Sequence, residues 1–485
     1  MRRALTVFHA LGLMLMVFSL AYLLPITTAL IYRDGTHTDF ILAMAMTFAA
    51  GLLMWLLTRR YRGHLSVRHG YLLVVGMWTA MPAVATLPLL LVINGLSFTG
   101  AYFETMSGIT TTGATVLSGL DYLPPAINLW RCELNWLGGM GIIVLAVAIL
   151  PLLGVGGRQL FKAETPGPMK DAALTPRIAE TARNLWLVYL SITLACITSL
   201  KLAGMNWFDA VCHAFSAMGL GGFSTHDASI GYFNSPAIDM VLIVFMLMAA
   251  INFATHFLAW REKSLRQYLA DAEAVGTISL ILTSCAGVAL FLWWQGTYPH
   301  FWTALRYASF NLVSIATSSG YSSTDFNQWP IFAPLWMMFL ACIAPSSGST
   351  GGGIKMIRTL ILVKQAGREF LKLLHPAAVN PMKIGGHVVP NNIVFAVLGF
   401  IFLYFMTTVT LVFLLLISGM DFISAFSAIL ACINNFGPGL GSVGPASNYA
   451  GLNGFQDWVC ITAMLAGRLE IFTLLIIFTP RFWQR

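Results

Sequence analysis

The chain has 485 residues, 58% hydrophobic and only 9% charged, with a mean hydropathy of +0.77. A soluble domain carries about 25% charged residues, so a water-facing globule is excluded and an all-α polytopic membrane protein is expected. The formal net charge of +8 does not point to nucleic acid, because the basic residues fall in short clusters between long apolar runs.

The first run, 4–32, is too long for a cleaved signal peptide and lacks a small-residue cleavage site, so it reads as a retained helix. A second spans 37–58, and these two leading helices, within 1–68, carry no further signal and are expected to pack peripherally. From residue 69 the pattern repeats. An apolar span is followed by a helix too short for the roughly 20 residues a crossing needs, then a small polar loop, then a second span.

The short pieces lie at 97–109, 206–218, 301–316 and 420–433 and fit re-entrant half-helices. Their loops read TTTGAT (110–115), GLGGFS (219–224), TSSGYS (317–322) and NNFGPG (434–439), with Gly113, Gly222, Gly320 and Gly437 in register. Ser107, Ser216 and Ser314 stand six positions ahead of three of these glycines. A period near 100 residues describes one helix–loop–helix unit rather than a solenoid repeat. The repeats are expected at 69–180, 181–270, 271–385 and 386–485, giving ten spans with the two leading helices.

Two places depart from a plain span. In the third repeat, PSSGSTGGG (345–353) interrupts the second helix, and such a stretch cannot stay helical. A phosphate-binding loop needs Lys and Ser/Thr directly after its last glycine, whereas Gly353 is followed by Ile354 and Lys355. In the last span Arg468 lies far from either basic end, and an intramembrane charge is a functional candidate by default. Glu470, two positions on, points elsewhere on a helix. Asn252 and His256, at i and i+4 within the run 237–260, read as groups bonding helix to helix.

Basic residues cluster at Arg2/Arg3, Arg59–Arg68, Arg158–Arg183, Arg261–Arg266, Lys355–Lys383 and Arg481/Arg485, while the intervening loops carry aspartates. Positive residues mark the cytoplasmic side, so both termini are expected inside. Anionic membrane lipid or an acidic partner would be a secondary consequence of the same charge. The seven cysteines form no C-x-x-C pair and sit mostly in apolar runs, where inert buried thiols are expected. No histidine spacing suggests a metal site, and no nucleophile–base pair suggests an enzyme.

Irregular backbone at membrane depth is tolerated only where protein buries it or it lines a water-filled cavity. Four such loops arranged about one axis would present rings of backbone carbonyls, which replace the hydration shell of a monovalent cation. None of the four loops contains a carboxylate, which favours K⁺-like ions over Ca²⁺. An alternating-access carrier with broken helices is the competing reading.

The motifs TTTGATV (110–116), GGMGIIVLAVAILP (138–151), PRIAET (176–181), GGFSTHDAS (221–229), GSTGGGIK (348–355), NNFGPGLG (434–441) and GRLEIFTLL (467–475) resemble the Trk/Ktr/HKT superfamily of cation transporters. Within it they are most similar to the bacterial Trk-type potassium uptake subunits. The resemblance covers essentially the whole chain. It implies four repeats around one pore in the bacterial inner membrane, a homodimer, and a cytosolic nucleotide-binding regulatory subunit (TrkA-like), with no cofactor in this chain besides K⁺ held in the pore.

The filter residues it implies are Thr110, Thr111, Thr112 and Gly113; Leu220, Gly221 and Gly222; Ser318, Ser319 and Gly320; and Asn435, Phe436 and Gly437. The gate it implies comprises Ser346, Gly348, Gly351, Gly352 and Gly353, with Arg468 beside the permeation path. The second loop has glycines where hydroxyls are expected, and the fourth has NNF before its glycine. Discrimination of K⁺ from Na⁺ is therefore expected to be relaxed.

Overall fold

The computed structural model describes residues 2–61, 67–141, 178–377 and 380–484. The basic cluster Arg158–Arg183 lies, apart from Arg183, outside these residues, as do Arg62 of the second cluster, Arg485 of the last, most of the motif 138–151 and PR of 176–181. The chain is an all-α membrane protein; the strands among the described residues are the two-residue pair Lys383–Ile384 and His387–Val388.

Among the described residues six helices are long and apolar enough to cross a bilayer: Leu5–Tyr32, His37–Thr58, Arg68–Val92, Ala182–Leu202, Ala272–Trp294 and Asn391–Ile417. Where two further spans are expected, bent helix pairs stand, each long and apolar enough only as a pair: Pro236–Ala250 with Phe253–Glu262 at 97° and Gly454–Arg468 with Phe472–Phe478 at 110°. The remaining two expected spans differ from the plain pattern. That of the first repeat is described over Pro125–Gly141, ending in a π-helical turn at Leu137–Gly141. That of the third stops at Phe332–Ile343, because the Pro/Ser/Gly/Thr stretch follows, and resumes as Met356–Leu374.

The leading helices cross where Gly12 and Gly51 meet, so closely that a Cβ on Gly12 would lie 2.7 Å from the Gly51 carbonyl oxygen. Tyr22 stacks on Trp130 at 4.6 Å between ring centroids, fastening this pair to Pro125–Trp136. Two large buried apolar clusters then form the body. One joins the leading helices with the first and fourth repeats, the other the second and third.

Each half-helix starts and stops by local chemistry. Ser97, Asn206 and Asp421 accept from the backbone N–H groups of Gly100, Asp209 and Ser424, capping Phe98–Ile109, Trp207–Gly219 and Phe422–Ile433. Phe301–Ala316 lacks such a cap and is preceded by His300. At the C-terminal ends all four close alike. Thr112, Gly221, Ser319 and Phe436 donate N–H to the carbonyls of Ser107, Ser216, Ser314 and Ala431 at 2.7–3.0 Å. This is a Schellman closure, which requires a left-handed residue just past the helix. Thr111, Leu220, Ser318 and Asn435 fill that place at φ 54°, 54°, 62° and 54°.

Candidate functional site

The four loops meet as a closed ring. A Cβ built on Gly113 would fall onto the Gly221 carbonyl oxygen, one on Gly222 onto that of Ser319, and one on Gly320 onto that of Phe436. One on Gly437 would lie 2.7 Å from the Thr112 oxygen, completing the circuit. All four glycines have φ between 72° and 86°, where a side chain is disfavoured. The ring thus brings together one predicted residue pair from every loop, at the same register: Thr112–Gly113, Gly221–Gly222, Ser319–Gly320 and Phe436–Gly437. The half-helix C-termini deliver partial negative charge to it.

Behind the ring the predicted hydroxyls are divided. Thr110 Oγ1 donates to the Met106 carbonyl at 2.7 Å and meets Thr112 Oγ1 at 2.8 Å. Thr111 Oγ1 and Asn435 Oδ1 are buried oxygens with no hydrogen-bond partner among the described residues. Asn435 Nδ2 donates to Thr112 Oγ1 at 2.9 Å, tying the fourth loop to the first. Leu220, the second loop's counterpart, is fully buried and apolar.

Past the glycines a cavity opens, lined by all four of them together with Arg131, His226, Asp227 and Tyr449. Arg131 is 1% exposed and pairs with Glu104, also 1% exposed, at 2.8 Å. It also donates to the Ser224 carbonyl at 3.0 Å and lies over the Phe223 ring at 4.4 Å. Asn135 accepts from Ser216 Oγ at 2.9 Å and donates to the Gly108 carbonyl at 2.9 Å. Its amide fills the space where a side chain on Gly221 would stand. Sequence reasoning missed Arg131, Glu104 and Asn135 as supports of the ring. The signal was present, since NLWRCELNW (128–136) puts Arg131 and Asn135 into an apolar helix and Glu104 is the sole charge in the half-helix 98–109.

Before the glycines, the ring meets the interrupted stretch. Gly352 N–H donates to Ser318 Oγ at 2.8 Å, and a Cβ on Gly352 would strike the Asn434 carbonyl. Gly351 passes so near that a Cβ there would be 3.0 Å from Ser318 Oγ and from the Thr317 carbonyl. Ser346 N–H and Ser347 N–H donate to the Ala250 carbonyl at 3.0 Å and to Glu273 Oε2 at 2.7 Å. Gly353, at φ 83°, turns the chain under the Ala341 carbonyl. Of the five predicted loop residues, Gly351 and Gly352 lie against the third and fourth loops, whereas Ser346, Gly348 and Gly353 pack on neighbouring helix ends at Ala250, Phe253 and Ala341.

Arg468 lies on the same stretch. Nη1 donates to the Thr350 carbonyl at 2.8 Å and Nη2 to the Gly138 carbonyl, and the guanidinium sits 5.5 Å from the Trp78 ring centroid. The resemblance sets Arg468 beside the permeation path; the guanidinium is bonded to the backbone of the interrupted stretch. Glu470 pairs with Arg358 rather than Arg468, and lines the same cavity as Arg468 and Gly351–Gly353. Asn252 accepts from Ala254 N–H within its own span, while His256 bonds both across the break, to the Met248 carbonyl, and to the Tyr268 hydroxyl of the next helix, so the expected helix-to-helix bonding is met by His256 alone. All seven cysteines are buried free thiols.

The match to a family model described as "TrkH: Cation transport protein" covers residues 36–292 and 298–485. Over 99% of both chains, the sequence is 46% identical to "Trk system potassium uptake protein TrkH" of Salmonella typhimurium. It is 37% identical to "Trk system potassium uptake protein TrkG" of Escherichia coli over 98% of each. The fold superposes on the "Crystal Structure of the Potassium Transporter TrkH from Vibrio parahaemolyticus" with a TM-score of 0.89 at 44% identity, covering 99% of both chains. With the ring and its flanking stretch in the same chain, these matches place the protein in the TrkH family of cation transport proteins.

Proposed function

We propose that this chain takes up potassium across the bacterial inner membrane through the four-loop ring, and that movement of 345–353 opens the path. The observation that carries the reading is the ring itself. The carbonyls of Thr112, Gly221, Ser319 and Phe436 each lie against the glycine of a neighbouring loop at one register, which supports a carbonyl ring of the kind that substitutes for a cation's water shell. The potassium named for the relatives supports K⁺ as cargo. The buried oxygens of Thr111 and Asn435 offer further ligands at the inner end, whereas Leu220 offers none, so Na⁺ passes with modest discrimination.

Gly352 bonded to Ser318 beneath the ring, and Arg468 bonded to Thr350, support 345–353 as the closing element. The proposal includes cytoplasmic termini, a homodimer, and a cytosolic nucleotide-binding subunit that acts on the basic face and moves the stretch. The decisive measurement is K⁺ against Na⁺ flux into liposomes, for the wild type and Gly113→Asp. Potassium flux abolished by the substitution, with insertion intact, is expected. Wild-type flux from an inserted Gly113→Asp protein would overturn the filter assignment.

A further inference from the structure

The run 237–262 contains neither proline nor glycine, so nothing in its composition calls for a break. Yet the helix stops at Ala250 and resumes at Phe253, with its limbs at 97°. In a continuous helix the N–H groups of Asn252, Phe253 and Ala254 would donate to the carbonyls of Met248, Ala249 and Ala250. Each of those carbonyls has another partner here. The Met248 oxygen is 2.8 Å from His256 Nε2, whose Nδ1 is 2.8 Å from the Tyr268 hydroxyl. The Ala249 oxygen accepts from Thr350 N–H at 3.4 Å and Thr350 Oγ1 at 3.3 Å, and the Ala250 oxygen from Ser346 N–H at 3.0 Å.

The freed donors are matched as well. Phe253 N–H donates to the Gly348 carbonyl at 3.1 Å, and Ala254 N–H to Asn252 Oδ1 at 3.1 Å. Residues 346–350 therefore occupy the break and satisfy backbone groups that membrane depth does not allow to stand unpaired. If they withdraw, the Ala249 and Ala250 oxygens and the Phe253 N–H lose their partners together. Rewinding the helix restores all three at once, because Phe253 N–H returns to the Ala249 oxygen and Ala254 N–H to the Ala250 oxygen. The same groups are paired in both arrangements, which makes a two-state element.

We propose that the break at Ala250–Phe253 is the second half of the gate. The docked stretch and bent helix form one state, the released stretch and straightened helix the other. This rests on 345–353 being the closing element. Asn252 is the positioning residue, since its side chain caps Phe253–Glu262 only while the helix is bent.

The test places spin labels on Met240→Cys and Trp260→Cys, both 59–60% exposed in the native protein, where the seven native thiols are buried. From a rise of 1.5 Å per residue, straightening lengthens their separation from about 20 Å to about 30 Å. The longer distance is expected in a protein lacking 346–352. Asn252→Ala should shift the distance distribution the same way and raise partner-free flux about fivefold, and Asn252→Asp, which keeps the cap, should restore both. An unchanged distance in a deletion protein whose flux has risen overturns the helix switch and leaves the gate in place. A deletion protein that inserts but conducts no faster overturns the gate reading itself. Should Asn252→Ala fail to insert, the labelled deletion protein decides alone.

Discussion

Gly113 has no room for a methyl group. Alanine there, at Gly222 or at Gly320 would set a Cβ on the neighbouring loop's carbonyl, on top of about 1–2 kcal/mol for holding a side chain left-handed. Each substitution should remove most K⁺ flux while leaving membrane insertion intact. Gly437→Ala should be mildest, because its Cβ would keep 2.7 Å from the Thr112 oxygen. Flux assays on the four variants check the order. Arg131 and Glu104 make a different case. Arg131→Met leaves the buried Glu104 carboxylate without its ion partner, a loss of roughly 3–5 kcal/mol, whereas Arg131→Met with Glu104→Gln should recover much of it. Thermal unfolding in detergent separates the two.

His226 Nδ1 meets Asp121 at 2.5 Å and its Nε2 meets Asp209 at 3.4 Å, joining the outer segments of the first two loops. Burial opposes the imidazolium, but the bonds and charges of Asp209 and Asp121 outweigh it and hold the pKa above its usual value. Burial likewise opposes both carboxylates, and their hydrogen bonds, His226 foremost, pull them below theirs. A raised histidine stabilises fully below its unfolded pKa of about 6.5, and that contribution fades as pH rises through the folded value. The lowered carboxylates stabilise above about 3.9 and fade as pH falls through their folded values. The melting temperature should therefore drop as pH climbs past about 6.5, and His226→Gln should flatten that slope. An equal slope in both proteins would remove the cluster from the account. The loop glycines announced themselves by register, but this triad did not. His226, Asp121 and Asp209 are scattered along the sequence and come together only where the outer loops fold over one another.

At the scale of elements, the half-helices were legible because apolar runs of a dozen residues ending in Gly and hydroxyls are too short to cross. The 345–353 interruption was legible by composition alone. The break at 251–252 was not, because the partners of its freed Ala249, Ala250 and Phe253 backbone groups come from the backbone of 346–350, which the span's own residues do not announce. The link between Arg468 and the stretch was hidden for the same reason, since the bond runs to a carbonyl, which carries no side-chain signature. That bond sets a prediction. Removing 346–352 and Arg468→Ala should each raise partner-free flux. If Arg468 acts partly by holding the Thr350 carbonyl, that share is already gone in the deletion protein. The double variant should fall short of the product of the single effects, corresponding to a coupling of about 0.5–3 kcal/mol. Simple multiplication of the two effects would mean that the arginine works by charge alone.

Across the whole molecule, the ring bears on how the ion moves. Each loop's glycine is packed against the next loop's carbonyl, and the fourth returns to the first. Rocking one adjacent pair of repeats as a body against the other pair would break two of these four contacts and separate carbonyls that must act together on one cation. Interiors packed at this closeness switch between discrete arrangements rather than deform smoothly. The segments free to exchange are the stretch beneath the ring and the helix break it occupies, where hydrogen bonds have alternative partners. On the proposed reading motion lies below the ring while the ring stays assembled, the behaviour expected of a gated channel rather than of an alternating-access carrier. Planar bilayers containing the 346–352 deletion protein should show discrete unitary K⁺ currents without any soluble subunit. The wild type under the same conditions should open rarely. Transport by the deletion protein with no resolvable unitary step, at a flux that liposome assays show to be raised, would return the mechanism to a carrier and require the ring to open during each cycle.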